Sequence, residues 1–252
     1  MRTPLLLALF LPACMVTEIT GVGDDTGSGS GSDNGSGSDT TTPRLDASLD
    51  KTSMTTQLGK TETVTINMSS AGGFSGDVSI SATLVDATEV AMPNIMVSGT
   101  PNVTVAAGGT AQASYQIVVP MNASGTTLTG TLKIELNTSL GIQTVSSPVT
   151  INNVYVVDYA AGTGTVTGMH MNAGMLPNLS VKRGAILRFH NSDTIDHIIH
   201  GDGTTFPHED QTVGGAPGRD YDVATIAIPP GSTGTLGCHT HGTATYSVYR
   251  VE

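Results

Sequence analysis

The residues whose types could do chemistry are concentrated near the C-terminus. Six of the seven histidines lie between residues 190 and 241, and Cys238 is the only cysteine beyond residue 14. Cys238 and His241 are three residues apart, so one loop can turn both side chains toward a single ion. A thiolate combined with two imidazoles is the donor set that selects copper in a trigonal electron-transfer site. The third donor must then come from elsewhere in the fold.

Several other residues and short motifs of the C-terminal region follow one another in an order that is informative. They are Pro177, Val181, Gly184, Asn191, His197, Pro230-Gly231 and Cys238-His239-Thr240-His241. This order resembles the cupredoxins, in particular the plastocyanin type, in which a Pro-Val-Gly strand is followed by an Asn, a His, a Pro-Gly turn and a Cys-x-x-His loop. The resemblance implies a Greek-key β-barrel or sandwich that holds one copper ion.

Three metal ligands and one supporting residue follow from this resemblance. His197 matches the first imidazole ligand, Cys238 the thiolate and His241 the second imidazole. Asn191 matches the asparagine that braces the ligand loop. The implied cofactor is a single copper ion that alternates between Cu(I) and Cu(II).

The axial position departs from the family pattern. The family usually places a Met a few residues after the second His, but this chain has Tyr246 at the plastocyanin spacing and no Met after residue 175. Tyr246 either packs under the loop and leaves the copper three-coordinate, or its phenol oxygen approaches the ion. The missing thioether should in either case shift the reduction potential and the colour, since the axial ligand tunes both.

His200 is the nearest competitor for a place in this site. It lies three residues after His197, and residues three apart on a strand point to opposite faces of the sheet. We therefore expect His200 to face away from the ion. Upstream, Met169, Met171 and Met175 surround His170 and either cover one end of the barrel or form a Cu(I)-binding patch, since thioethers favour that ion.

The N-terminus has the pattern of an export signal. Residues 1–14 carry Arg2 and a short apolar run, and they end in Leu11-Pro12-Ala13-Cys14. The apolar run is too short to span a bilayer. The last four residues resemble the bacterial lipobox, which implies cleavage before Cys14 and lipidation of its thiol. Met15 in place of Asp implies the outer membrane, at the periplasmic face or the cell surface; the alternative is an ordinary signal cut nearby.

The remaining chain divides into a linker and two β domains. Residues 15–44 are rich in Gly, Ser and Asp and should form a disordered tether. Residues 45–152 show short alternating segments, such as Val64, Ile66 and Met68, and resemble the bacterial immunoglobulin-like spacer modules. By the resemblance to cupredoxins, residues 153–252 are expected to form the cupredoxin domain. The predicted fold class is therefore all-β, an immunoglobulin-like sandwich followed by a cupredoxin sandwich.

The net charge of the chain argues against some classes of binding partner. The chain has 21 acidic and 10 basic residues, a net charge of −11, and no cluster of Lys or Arg. This distribution argues against nucleic acid as a partner. Membrane attachment is expected through the lipid on Cys14, and a redox partner protein of unknown identity is expected from the copper site.

Four functions compete. The first is single-electron transfer at a mononuclear copper site, and the second is copper sequestration, delivery or sensing at the cell surface. The third is an oxidase, which is disfavoured because Gly237 precedes Cys238 and the other domain supplies no ligands. The fourth is a degenerate structural module, disfavoured because all three strong ligands are retained. The sequence therefore predicts an electron carrier or copper-binding protein rather than an enzyme.

Overall fold

The structure is a computed structural model that describes residues 42–123, 128–159, 178–201, 205–209, 215–238 and 247–252. Within these ranges there are β-strands, one 3-10 turn at Thr225–Ala227 and no α-helix. The described residues thus include no helix long and apolar enough to cross a membrane. The all-β prediction is confirmed.

The strands are short, with one exception. In chain order they are β1 (Arg44–Leu49), β2 (Met54–Leu58), β3 (Thr61–Ala71), β4 (Gly76–Val85), β5 (Met96–Gly99), β6 (Asn102–Val105), β7 (Thr110–Val118) and β8 (Leu128–Thr138). They continue with β9 (Gly141–Tyr159), β10 (Leu179–Val181), β11 (Ile186–Asn191), β12 (Ile199–His200), β13 (Asp220–Ala224), β14 (Thr233–Cys238) and β15 (Ser247–Val251). The exception is β9, whose 19 residues serve both halves of the chain.

The N-terminal half is a sandwich of two sheets. One sheet has the order β1-β3-β7-β5, and the other contains β4, β8 and the first part of β9, with β6 at its edge. Val64, Ile66 and Met68 of β3 are buried, as their alternation predicts. The two sheets are joined across the core by the Tyr115 hydroxyl, which donates to the Ile80 carbonyl at 2.8 Å.

Strand β9 continues across the predicted domain boundary between residues 152 and 153. Its first part pairs antiparallel with β8 as far as Ile151, and its last part, Val154–Tyr159, pairs parallel with β11. Asn153 strengthens the junction, because its side-chain amide donates to the Gly184 carbonyl at 2.8 Å. One unbroken strand therefore connects the two halves in place of a flexible linker.

The C-terminal half brings two sheets together around aromatic side chains. Strands β9, β11 and β13 form one side, and the order β10-β15-β14-β12 forms the other. Between them, the ring of Phe206 lies 6.0 Å from that of Phe189 and 4.9 Å from that of Tyr249. Antiparallel pairing of β12 with β14 places Ile199 opposite Cys238. The segment just before β12 therefore lies beside the end of β14.

Several predicted features lie outside the described residues. These are the signal segment with Cys14, the linker up to residue 41, the methionine-rich segment at 169–175, and two residues of the candidate copper site, His241 and Tyr246.

Candidate metal centre

Cys238 occupies the last position of β14 and is fully buried. Leu236 and Gly237, which precede it, are buried as well, so the end of this strand runs into the core. The backbone N–H of Ile198 donates a hydrogen bond to Cys238 Sγ at 3.3 Å. A donor aimed at sulfur favours the thiolate, which is the form that binds metal.

His197 lies next to Cys238 and is also buried, with 1% of its surface exposed. Its backbone N–H donates to the Gly215 carbonyl at 2.8 Å. Its imidazole interacts with the side chain of Cys238, and its Nε2 lies 2.9 Å from Asp193 Oδ2. The ring of Tyr159 is stacked on the imidazole at 4.8 Å and 10°. The imidazole is thus held at both its edge and its face.

The pKa of His197 reflects two opposing effects. Burial disfavours the charged imidazolium and lowers the pKa, whereas the hydrogen bonds to Cys238 and Asp193 favour it. The hydrogen bonds prevail, and the pKa lies above the ordinary histidine value. An imidazole and a thiol this close to each other would both be available to one metal ion, whose binding requires the deprotonated donors.

Asn191 braces the loop that carries His197, which is the role predicted for it. Alternation along β11 turns Asn191 inward with Leu187 and Phe189. Its side-chain amide donates to the carbonyls of Ile195 at 2.8 Å and Gly215 at 2.6 Å. Its Oδ1 accepts the backbone N–H of Asp193 at 2.9 Å. One buried amide therefore fixes both sides of the loop from residue 192 to 198.

Gly215 is required by the close approach of this loop. Its φ is +81°, and a Cβ at this position would meet the His197 carbonyl oxygen at 2.3 Å. Its own carbonyl accepts from both the His197 backbone and the Asn191 side chain. Only glycine combines this left-handed conformation with contact at that distance.

Glu209 is a second buried acid close to the thiol. It is 5% exposed, and its carboxylate accepts the backbone N–H of Ile199 at 2.9 Å and that of Gly215. Burial raises the pKa of Glu209, the two backbone hydrogen bonds lower it, and the nearby Cys238 raises it; the net pKa lies above the ordinary value. The carboxyl ties β12 to the segment around Gly215.

His200 faces away from this cluster, as its spacing predicts. It is exposed, and its ring packs edge-on against that of His208 with centroids 4.8 Å apart. His208 is half-buried, with Nδ1 at 2.5 Å from the Glu209 carbonyl oxygen. This pair is a surface contact beside the site.

The structure brings together two of the three predicted ligands, His197 and Cys238. Across the part of the chain that the structure describes, no three or more His, Cys, Asp or Glu side chains form a metal-binding group. The third predicted ligand, His241, lies outside those residues, as does Tyr246. A buried imidazole and a buried thiol in contact fit two of the donors that a copper site uses.

Sequence reasoning missed Asp193, Gly215, Glu209 and Tyr159. Asp193 and Glu209 stand in polar segments that predict solvated loops, and their burial depends on tertiary contacts. Gly215 carried a weak signal, because the pair Gly214-Gly215 allows a left-handed turn. Tyr159 ends the last part of β9, which the alternation up to residue 151 did not predict.

No family model and no curated protein sequence matches this chain. Among solved structures, a family 123 glycoside hydrolase from Clostridium perfringens is similar at TM-score 0.36 and 12% identity over 46% of this chain and 30% of that chain. Domains 4 and 5 of the S-layer protein SbsC are similar at TM-score 0.29 and 19% identity, over 43% of this chain and 46% of that chain. The periplasmic chaperone SfaE is similar at TM-score 0.31 and 10% identity, over 82% of this chain and 98% of that chain.

The matched part of this chain spans less than half of the first two of these proteins. Similarity at such TM-scores carries no argument about function.

Proposed function

We propose that the C-terminal half of this protein is a cupredoxin-like domain that binds one copper ion and transfers single electrons. His197, Cys238 and His241 are the ligands, and the ion supplies a one-electron couple between Cu(II) and Cu(I). The observation that supports this proposal is the buried contact between the His197 imidazole and Cys238. Lipidation at Cys14 would hold the protein at the outer membrane, in the cell envelope.

The surroundings of the two described ligands favour electron transfer over simple storage. His197 is fixed by Asp193, by the stacked ring of Tyr159 and by its backbone bond to Gly215. Ligands held in this way keep their positions when the charge of the ion changes, so little reorganisation accompanies each electron. A storage site gains nothing from such rigidity, because it must open to release its ion.

Copper sequestration or delivery is the second candidate function. It is favoured by the absence of any Met after residue 175, since a site that lacks the usual thioether has lost one means of tuning its potential. It also predicts a different response to reduction, namely release of the ion.

The two functions are separated by voltammetry of the purified full chain loaded with one equivalent of Cu(II). Electron transfer predicts a reversible one-electron wave and full recovery of the visible spectrum after a cycle of chemical reduction and reoxidation. Loss of copper into the medium on reduction, measured after rapid gel filtration, would contradict electron transfer and leave copper delivery.

A further inference from the structure

A carboxylate lies completely buried behind the proposed copper ligand His197. Asp193 Oδ2 is 2.9 Å from Nε2 of His197, and neither side chain has any exposed surface. Burying a carboxylate without partners is costly, so each of its oxygens should be hydrogen-bonded. Oδ1 accepts the backbone N–H of Thr194 at 2.7 Å, and Oδ2 accepts from His197.

This arrangement selects one tautomer of the imidazole. An ionised carboxylate only accepts hydrogen bonds, so the proton of the neutral imidazole resides on Nε2. Nδ1 is then the nitrogen with a lone pair. Nδ1 is also the ring nitrogen left for a metal ion, because Nε2 is directed at Asp193. A metal-ligating histidine usually donates its other N–H to a carboxylate or carbonyl, which fixes the ring and makes it a stronger donor.

We propose that Asp193 is a positioning residue that orients His197 toward copper through Nδ1 and lowers the reduction potential of the site. This inference rests on the proposed copper-binding function. The carboxylate adds one negative charge next to the ligand, in an interior where water does not screen it. With the Cys238 thiolate it balances the two charges of Cu(II), whereas Cu(I) leaves the same site with one uncompensated negative charge. Asp193 therefore stabilises the oxidised form more than the reduced form.

The chain contains a matched control pair. His190 Nδ1 lies 2.6 Å from Asp220 Oδ1, but both side chains are more than one third exposed and belong to the outer face of β11 and to β13. Asp220→Asn removes the same kind of carboxylate from the same kind of imidazole without touching a proposed copper ligand. Asp193→Asn keeps the shape of the side chain and an acceptor oxygen, so it isolates the charge.

The test is spectroelectrochemistry of the copper-loaded full chain, in the wild-type, Asp193→Asn and Asp220→Asn forms. Loss of a carboxylate behind a metal ligand costs about 10- to 100-fold in metal affinity. If only Cu(II) affinity falls tenfold, the potential rises by about 59 mV. We expect such a rise in Asp193→Asn, with its thiolate-to-copper band retained, and no change in Asp220→Asn. Equal potentials in all three proteins would overturn the role of Asp193 while leaving the copper site intact.

Failure of the proposed function gives a different result, because the wild type itself would then show no thiolate-to-copper band. If Asp193→Asn does not fold, nuclear magnetic resonance of the Cu(I)-loaded wild type decides the question. A slowly exchanging proton on Nε2 of His197 supports the inference. A proton on Nδ1, or copper on Nε2, overturns it.

Discussion

The backbone N–H of Ile198 donates to Cys238 Sγ at 3.3 Å, so the residue that follows His197 also contacts the thiol. This relationship depends on pairing of the two-residue strand β12 with the end of β14. It follows that anything that displaces the loop before β12 should disturb His197 and the sulfur together.

Asn191→Ala should destabilise the protein by about 3 kcal/mol, because it removes three buried or partly buried hydrogen bonds and takes this partner from the Ile195 carbonyl and the Asp193 N–H. The free energy of unfolding in urea measures this loss. Asn67→Ala is the control. Asn67 accepts one exposed hydrogen bond from Gln112, and its loss should change the stability by less than about 0.5 kcal/mol. Equal effects of the two substitutions would show that Asn191 does not brace the loop.

Gly215→Ala should cost more than Gly218→Ala, although both glycines have positive φ, +81° and +76°. At Gly218 a Cβ meets nothing within 4 Å, so only the backbone conformation is penalised, by about 1 kcal/mol. At Gly215 the Cβ meets the His197 carbonyl oxygen at 2.3 Å, which must displace this proposed copper ligand. We expect a loss in stability of more than about 2 kcal/mol and weaker copper binding in Gly215→Ala alone. Similar copper affinities in the two variants would contradict the claim that the Gly215 contact positions His197.

The pH dependence of stability should reveal the buried carboxyl of Glu209. Its folded pKa is raised, so the folded chain binds its proton more tightly than the unfolded chain. Below the ordinary value of 4.5 both states are protonated. As the pH rises through the raised folded pKa, Glu209 loses its proton and leaves a buried charge, so its contribution to stability falls. The neutral amide of the Glu209→Gln variant has no proton to lose and is insensitive to pH. The stability of the wild type relative to Glu209→Gln should therefore decrease as the pH rises from the ordinary value of 4.5 through the raised folded value.

Glu252→Gln provides a control of opposite sign. Hydrogen bonds from Lys182 and Ser180 lower the pKa of Glu252. Its contribution is therefore present above the ordinary glutamate value and is lost as the pH falls through the lowered folded value. Urea unfolding of the apo protein at several pH values measures both variants. If the free energy of unfolding had the same pH dependence in the wild type and in Glu209→Gln, the burial of an ionisable carboxyl at that position would be contradicted.

The local elements of this fold were predictable from the sequence, whereas their partners were not. Alternation placed Val64, Ile66 and Met68 on one buried face, because a strand with one face against a core requires a period of two. The same signal could not show that β9 continues to Tyr159. Its partner changes there from β8 to β11, and a partner far along the chain leaves no mark on local periodicity.

The candidate site divides in a similar way. His197 and Cys238 were predicted from donor chemistry and family resemblance, and the structure brings them into contact. Asp193 and Glu209 were not predicted, since a carboxylate in a polar segment has the composition of a solvated loop. Their burial depends on backbone N–H groups of Thr194, Ile199 and Gly215, which no side-chain pattern records.

The most direct test of the account is the visible and electron paramagnetic resonance spectrum of the full chain with one equivalent of Cu(II). The wild type and the control variant His200→Ala, which alters an exposed histidine beside the site, should both show an intense thiolate-to-copper band. Cys238→Ser should lack this band, and the position of the band in the wild type would report on the role of Tyr246. A weak cupric spectrum that is the same in all three proteins would contradict copper ligation by Cys238 and the proposed electron-transfer site with it.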